Sequence, residues 1–321
     1  MRIEHRTVTV NGIRMHVAEA GTGPLVVLCH GWPELWYSWR QQLPVLAHAG
    51  FHVVAPDMRG FGETEAPAEI GEYTILHNVG DIVSLVDALG EREAIIIGHD
   101  WGAPVAWTAA MMRPDLFRAV VGMSVPHRPR AADLPLKLLR QAGLHNFYWI
   151  YFQTPGVAEG EFERDVSTTM RKLLYGISVD APIDRENPML VPEGQGFLTR
   201  LVVPKDLPAW LREEDVDKMV SEYRRTGFRG GLNWYRNIDR NWELTAPWHH
   251  AQIRQPALFI AGTRDPVIAG KRGEIAIEQM AKAVPGVRKV LIEGAGHWIQ
   301  QERPHEVNAA LLEFLGARPT G

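Results

Sequence analysis

Continuous apolar runs of strand length, alternating with stretches of helical spacing, restrict what this chain can fold into. PLVVLCH, FHVVAP, EAIIIGH and FRAVVGMS are apolar on both faces, and WYSWRQQLPVLAHAG, TILHNVGDIVSLVDALG and a helix from Trp101 through Met112 separate them. Strands buried on both sides with helices between them predict a mostly parallel sheet flanked by helices, an α/β fold. Ahead of them, RTVTV and IRMHVAEA flank Asn11-Gly12, a hairpin dipeptide, which predicts two antiparallel edge strands. The rhythm stops near Pro126. From about His127 to Glu243 strand signals vanish, and LPLKLLRQAG, HNFYWIYFQ, EFERDVSTTMRKLLYG and EEDVDKMVSEYRRTG read as helices. The pattern then resumes with QPALFIAGTRD, EIAIEQMAKAV, VRKVLIEGAGH and HEVNAALLEFLGA. The expected division is a core of residues 1–126 and 244–321, split by a helical cap at 127–243.

With 321 residues, 45% of them hydrophobic, the chain can bury a large core. A net charge of −4, without a basic block, argues against a nucleic-acid partner. No apolar stretch approaches a membrane span, and MRIEHRTVTVNG lacks a signal-peptide core, so a cytoplasmic protein is expected. Cys29, the one cysteine, lies within an apolar run and reads as a small buried residue in a reducing compartment. There is no metal-ligand spacing, GxGxxG or phosphate loop, and no cofactor is inferred.

The chemistry concentrates where the EAIIIGH strand turns into a helix, at Gly98-His99-Asp100-Trp101-Gly102. Glycines two before and two after the central residue suit a sharp strand-to-helix turn that lifts the central side chain above the sheet. That residue is an aspartate, which is already an anion at neutral pH and can attack an sp³ carbon without a base. Taken alone, the turn also fits an aspartate that only caps the helix. His30-Gly31-Trp32-Pro33 ends the first parallel strand, so that the N–H of Trp32, with that of Trp101, could form an oxyanion hole. Asp265 in GTRDPV and His297 in GAGHW follow two later strands. The order Asp100, Asp265, His297 is nucleophile, acid, base.

GHDWG, HGWPE, PDMRGFG, GTRDPV and GAGHW together resemble the α/β-hydrolase superfamily, specifically the aspartate-nucleophile branch holding soluble epoxide hydrolases and haloalkane dehalogenases. The resemblance implies an α/β-hydrolase fold, a covalent ester intermediate, and a small apolar substrate with water. YWIYFQTPGVAE and GGLNWYRN resemble the cap segments that supply two tyrosines to the epoxide oxygen, matching Tyr148 and Tyr235, with Tyr151 the alternative for the first. A dehalogenase would share Trp101, but the position where many of them place an Asn halide donor holds Trp32. A ligand-binding protein on a retired scaffold often lacks a triad member, and none is missing. Trp32, Trp101, Trp149, Trp234 and Trp298 adjoin mechanistic residues and are expected to line an apolar pocket. His30 and His99 are expected to brace the loop and the turn, Asp57 and Arg59 to build a structural turn, and Glu34 either to brace a loop or to touch the hydrolytic water. Tyr175 and Tyr223 read as packing or surface residues. The irregular stretch from about Val179 to Lys205 is expected to shape the entrance, and a homodimer stays open.

Overall fold

The computed structural model describes residues 2–182 and 189–316. Of the entrance stretch expected at 179–205, residues 183–188 lie outside the described residues. In chain order the elements are β1 Glu4–Val10, β2 Ile13–Ala20, β3 Leu25–Cys29, α1 Leu43–His48, β4 His52–Pro56, α2 Ile75–Ala88, β5 Ala94–His99, α3 Gly102–Met112 and β6 Phe117–Met123. Helices follow: α4 Pro135–Gln141, α5 Tyr148–Tyr151, α6 Val157–Phe162, α7 Val166–Gly176, α8 Glu213–Thr226, α9 Arg229–Arg236 and α10 Ile238–Leu244. The chain then makes β7 Ala257–Gly262, α11 Gly270–Ala283, β8 Arg288–Ile292, α12 Ile299–Glu302 and α13 Pro304–Phe314.

The eight strands form one sheet in the order β1-β2-β4-β3-β5-β6-β7-β8. The Asn11-Gly12 hairpin makes β1 and β2 antiparallel, β2 pairs antiparallel with β4, and every other pairing is parallel. Strands β3, β5 and β7 are buried at every position, as strands covered on both faces must be. Alternation sorts their side chains: Val27 and Cys29 pack on the side of α2, α3 and the inserted helices, Val26 and Leu28 on the side of α1 and α13. From β3 the chain runs to β4 on one side and later to β5 on the other. Beyond the carboxyl ends of β3 and β5 lies the crevice where such sheets bind ligands.

One expectation needs correction. WYSWRQQLPVLAHAG is not one helix but a 3₁₀ turn at Trp36–Trp39 followed by α1. Pro44 stands in the first turn of α1, where its missing N–H costs nothing, and it cannot continue a helix arriving from before it. Among the described residues no helix is long and apolar enough to cross a membrane.

Candidate active site

Asp100 sits at the end of β5 with φ +50°, a left-handed conformation that a non-glycine residue adopts at a cost, and α3 begins two residues later. The flanking glycines make the turn possible. A Cβ on Gly98 would lie 2.0 Å from the Gly102 carbonyl oxygen, and one on Gly102 would lie 2.0 Å from that of Cys29. Gly31 has the same role toward the side chain, since a Cβ there would come within 2.3 Å of Asp100 Oδ1. The Trp32 N–H then donates to Asp100 Oδ1 at 2.8 Å, so this loop amide already points at the carboxylate.

His297 Nε2 lies 3.4 Å from Asp100 Oδ2, and its Nδ1 lies 3.1 Å from Asp265 Oδ1. Asp265 is wholly buried and His297 nearly so, whereas Asp100 keeps 15% of its side chain exposed. Burial alone would lower the His297 pKa, but the Asp265 and Asp100 carboxylates outweigh it and hold the imidazole well above its usual value. Asp100 feels the reciprocal effect. Burial works against its charge, yet His297 and the Trp32 amide keep it below the usual carboxylate range.

Opposite Asp100 the inserted helices bring in Tyr148, at the start of α5, and Tyr235, in α9. Their rings are 5.7 Å apart, and Tyr235 also meets Trp101 at 5.0 Å and Trp32 at 5.8 Å, both edge-on. Burial and the nearby Asp100 charge push both phenols up, which keeps them protonated donors. Helix α9 lies this close because of two glycines that sequence reading passed over. A Cβ on Gly231 would lie 2.3 Å from Trp32 Cδ1, and one on Gly230 would lie 2.1 Å from the Gly60 oxygen. Tyr151 is turned away, its hydroxyl donating to Glu161 at 2.8 Å. Tyr175 donates to the Asp180 carbonyl, and Tyr223 is buried against Phe228.

The tryptophans divide in their contacts. Trp32 and Trp101 touch Tyr235, and Trp149 touches Tyr148 at 6.2 Å. Trp234 packs on Trp101, while its N–H donates to the Arg59 carbonyl. Trp298 packs on the His297 ring at 4.8 Å and donates to the Leu174 carbonyl, so it braces the imidazole. Phe152, which the sequence did not single out, meets Trp32, Tyr148 and Tyr235 within 5.6 Å and completes the aromatic wall.

The bracing residues are tightly bound. His30 Nδ1 donates to the Gly31 carbonyl and its Nε2 accepts from the Met58 N–H. His99 bonds Glu34 at 2.7 Å and the His297 carbonyl at 2.8 Å. The buried Glu34 also accepts from Gln300 and Gln301, which makes it a brace joining its own loop to the end of β5 and to α12. Asp57 pairs with His16 and accepts from the Trp36 amide, and Arg59 pairs with Asp81.

A strained strand-to-helix turn that sets an aspartate between a loop amide and an Asp–His pair, at the crevice of a mostly parallel sheet, is the arrangement of an α/β hydrolase. The chain belongs to the α/β-hydrolase fold family, whose model matches residues 24–304, and within it to the branch of the epoxide hydrolases. It is 48% identical to epoxide hydrolase A of Mycobacterium tuberculosis over 97% of this chain and 96% of that one. It is 43% identical to epoxide hydrolase 2 of Siraitia grosvenorii over 98% of each chain. The crystal structure of epoxide hydrolase A from Mycobacterium thermoresistibile superposes with a TM-score of 0.92 at 48% identity, covering 99% of this chain and all of that one.

Proposed function

We propose that the protein converts epoxides to vicinal diols through an ester on Asp100. The observation that carries this reading is the pair of adjoining phenols, half-buried Tyr148 and buried Tyr235, held neutral opposite an ionised aspartate. An epoxide oxygen leaves as an alkoxide and needs a proton; a halide does not. The helical insertion at 127–243 then acts as a cap that supplies the proton donors, and its relatives' names fit this chemistry.

In the first half-reaction Asp100 Oδ2 attacks a ring carbon, the carbon–oxygen bond breaks, and the oxygen takes a proton from one tyrosine while the other donates a hydrogen bond. Forming the ester removes the negative charge beside His297. The imidazole thereby loses one of the two carboxylates that hold its proton, releases that proton to solvent and becomes able to act as a base. In the second half-reaction His297, steadied by Asp265, takes a proton from water, and the hydroxide adds to the ester carbonyl carbon. The N–H groups of Trp32 and Trp101 receive the oxyanion. Collapse expels the diol, whose oxygen recovers the proton from the imidazolium; the new Asp100 carboxyl passes its proton to His297, and the tyrosine regains its own from solvent.

A single turnover in ¹⁸O-water tests this route. The first diol released should carry unlabelled oxygen taken from Asp100, with the label left on the carboxylate. Label in the new hydroxyl of that diol would mean direct attack by water and would remove Asp100 from the nucleophile's role. Halide release from simple haloalkanes faster than the opening of any epoxide would favour a dehalogenase instead.

A further inference from the structure

Three consecutive side chains, Gln300, Gln301 and Glu302, leave the short helix α12 for the catalytic loops, and only the first two reach Glu34. Glu302 turns back on the loop before it. Its Oε2 accepts from the Gly296 N–H at 2.7 Å and its Oε1 from the Trp298 N–H at 3.1 Å, so one carboxylate holds the two amides on either side of His297. Between them, the His297 carbonyl accepts from Ser124 Oγ at 2.9 Å and from His99 Nε2 at 2.8 Å. The backbone carrying the imidazole is thus gripped on both sides by buried groups. Resting on the two-step reading above, we infer that Glu302 is the positioning residue for His297, setting the imidazole for activation of the hydrolytic water.

Helix capping explains only part of this geometry. Trp298 is the residue ahead of α12, and its amide is an ordinary capping target, but Gly296 lies two residues further out. The loop there has no spare room. A Cβ on Gly296 would lie 2.3 Å from the Val179 nitrogen and 2.8 Å from Glu302 Oε1. Each of the two amides is met by its own oxygen, and a carboxylate carries two where an amide carries one. The Glu302 carboxylate is itself nearly buried. Burial and the Asp265 charge push it up to about 7, while the two amides and His297 pull the other way.

The two half-reactions depend on this grip differently. Alkylation uses the Asp100 carboxylate and the two tyrosines, none of which Glu302 touches. Water activation requires the Nε2 lone pair to be aimed at one point, and a misplacement of ~1 Å commonly costs about 10²-fold. Glu302→Gln keeps the size of the side chain, loses one acceptor and turns an NH₂ toward the orphaned amide. It should slow ester hydrolysis about 10- to 100-fold and leave the alkylation rate near that of the wild type.

The test follows both steps in the same samples. Wild type, His297→Gln, Glu302→Gln and Glu302→Asp are mixed with excess styrene oxide, quenched over time and weighed intact, with diol measured alongside. The expected result is rapid addition of one epoxide mass to all four, with His297→Gln remaining alkylated and Glu302→Gln carrying far more adduct at steady state than wild type. Glu302→Asp, too short to span both amides, should fall between them and serves if the glutamine variant does not fold. A wild-type adduct fraction and diol rate in the Glu302 variants, or equal slowing of both steps, overturns the inference while His297→Gln still alkylates. If His297→Gln never gains mass, the ester mechanism falls and this inference with it.

Discussion

In the proposed reaction Tyr148 and Tyr235 act on one oxygen, so their losses should not add like those of independent groups. Losing one buried donor commonly costs about 10²-fold, and the remaining phenol still reaches the oxygen. Tyr148→Phe and Tyr235→Phe should each slow alkylation about 10²-fold, and the double variant should lose nearly all diol formation, as a stopped-flow or quench measurement will read. Near-wild-type turnover in the double variant would remove the pair from the chemistry. At this scale the site was legible wherever the requirement is local. Gly98 is demanded by a turn that five residues contain, and the pair of glycines can be read from those five even though Gly102 also makes room for the Cys29 carbonyl. The hold of Gln300 on Glu34 joins residues 266 positions apart, and polar side chains in sequence look solvated until the fold removes the water. Glu302 holds amides only four and six residues before it, and it was unreadable because its burial, unlike its range, comes from the rest of the fold.

Arg59 ties elements together. It lies just after β4, donates through Nε and Nη2 to Asp81 of α2 at 2.8 and 2.5 Å, and its carbonyl receives the Trp234 indole of α9. Both charged side chains are almost fully buried. Removing one partner strands the other charge, so Arg59→Met should destabilise the fold by about 3–5 kcal/mol. Urea unfolding should show a lower midpoint, and Arg59→Met with Asp81→Leu should recover much of the loss; a single variant with an unchanged midpoint would refute the role. The parallel strands were legible because burial on both faces leaves an unbroken apolar run that polar context cannot imitate. Two helices were not. Pro44 hides where α1 begins, and Gly230 and Gly231 weaken any helical reading of α9, although close packing on Trp32 and Gly60 requires them.

Across the whole molecule, stability should bend with pH through buried histidines of opposite sign. Burial pushes His127 down to about 4. Its neutral form is favoured in the folded state, so its contribution is complete above the unfolded value of about 6.5 and is lost as pH falls toward 4, a difference of about 3 kcal/mol. His127→Leu should shrink the stability difference between pH 6.5 and pH 4 by about that amount in chemical denaturation, and an unchanged difference would contradict it. His16 and His297 are raised instead, His16 because Asp57 outweighs its burial. Their stabilisation is present below the unfolded value and fades as pH climbs through their folded ones, so the melting temperature should also fall on the alkaline side. The sheet order bears on how this molecule is made. Val120 of β6 pairs with Ala257 of β7, and the entire insertion lies between them. As the chain leaves the ribosome, the aspartate turn and the Trp32 loop are synthesised early, whereas Asp265 and His297 must wait for the last strands to close a very long loop. Until then β6 presents an unpaired edge, the kind of surface on which chains stick to one another. Collapse of the inserted helices ahead of that closure would shorten the search, which gives their packing a part in folding yield before any substrate is met.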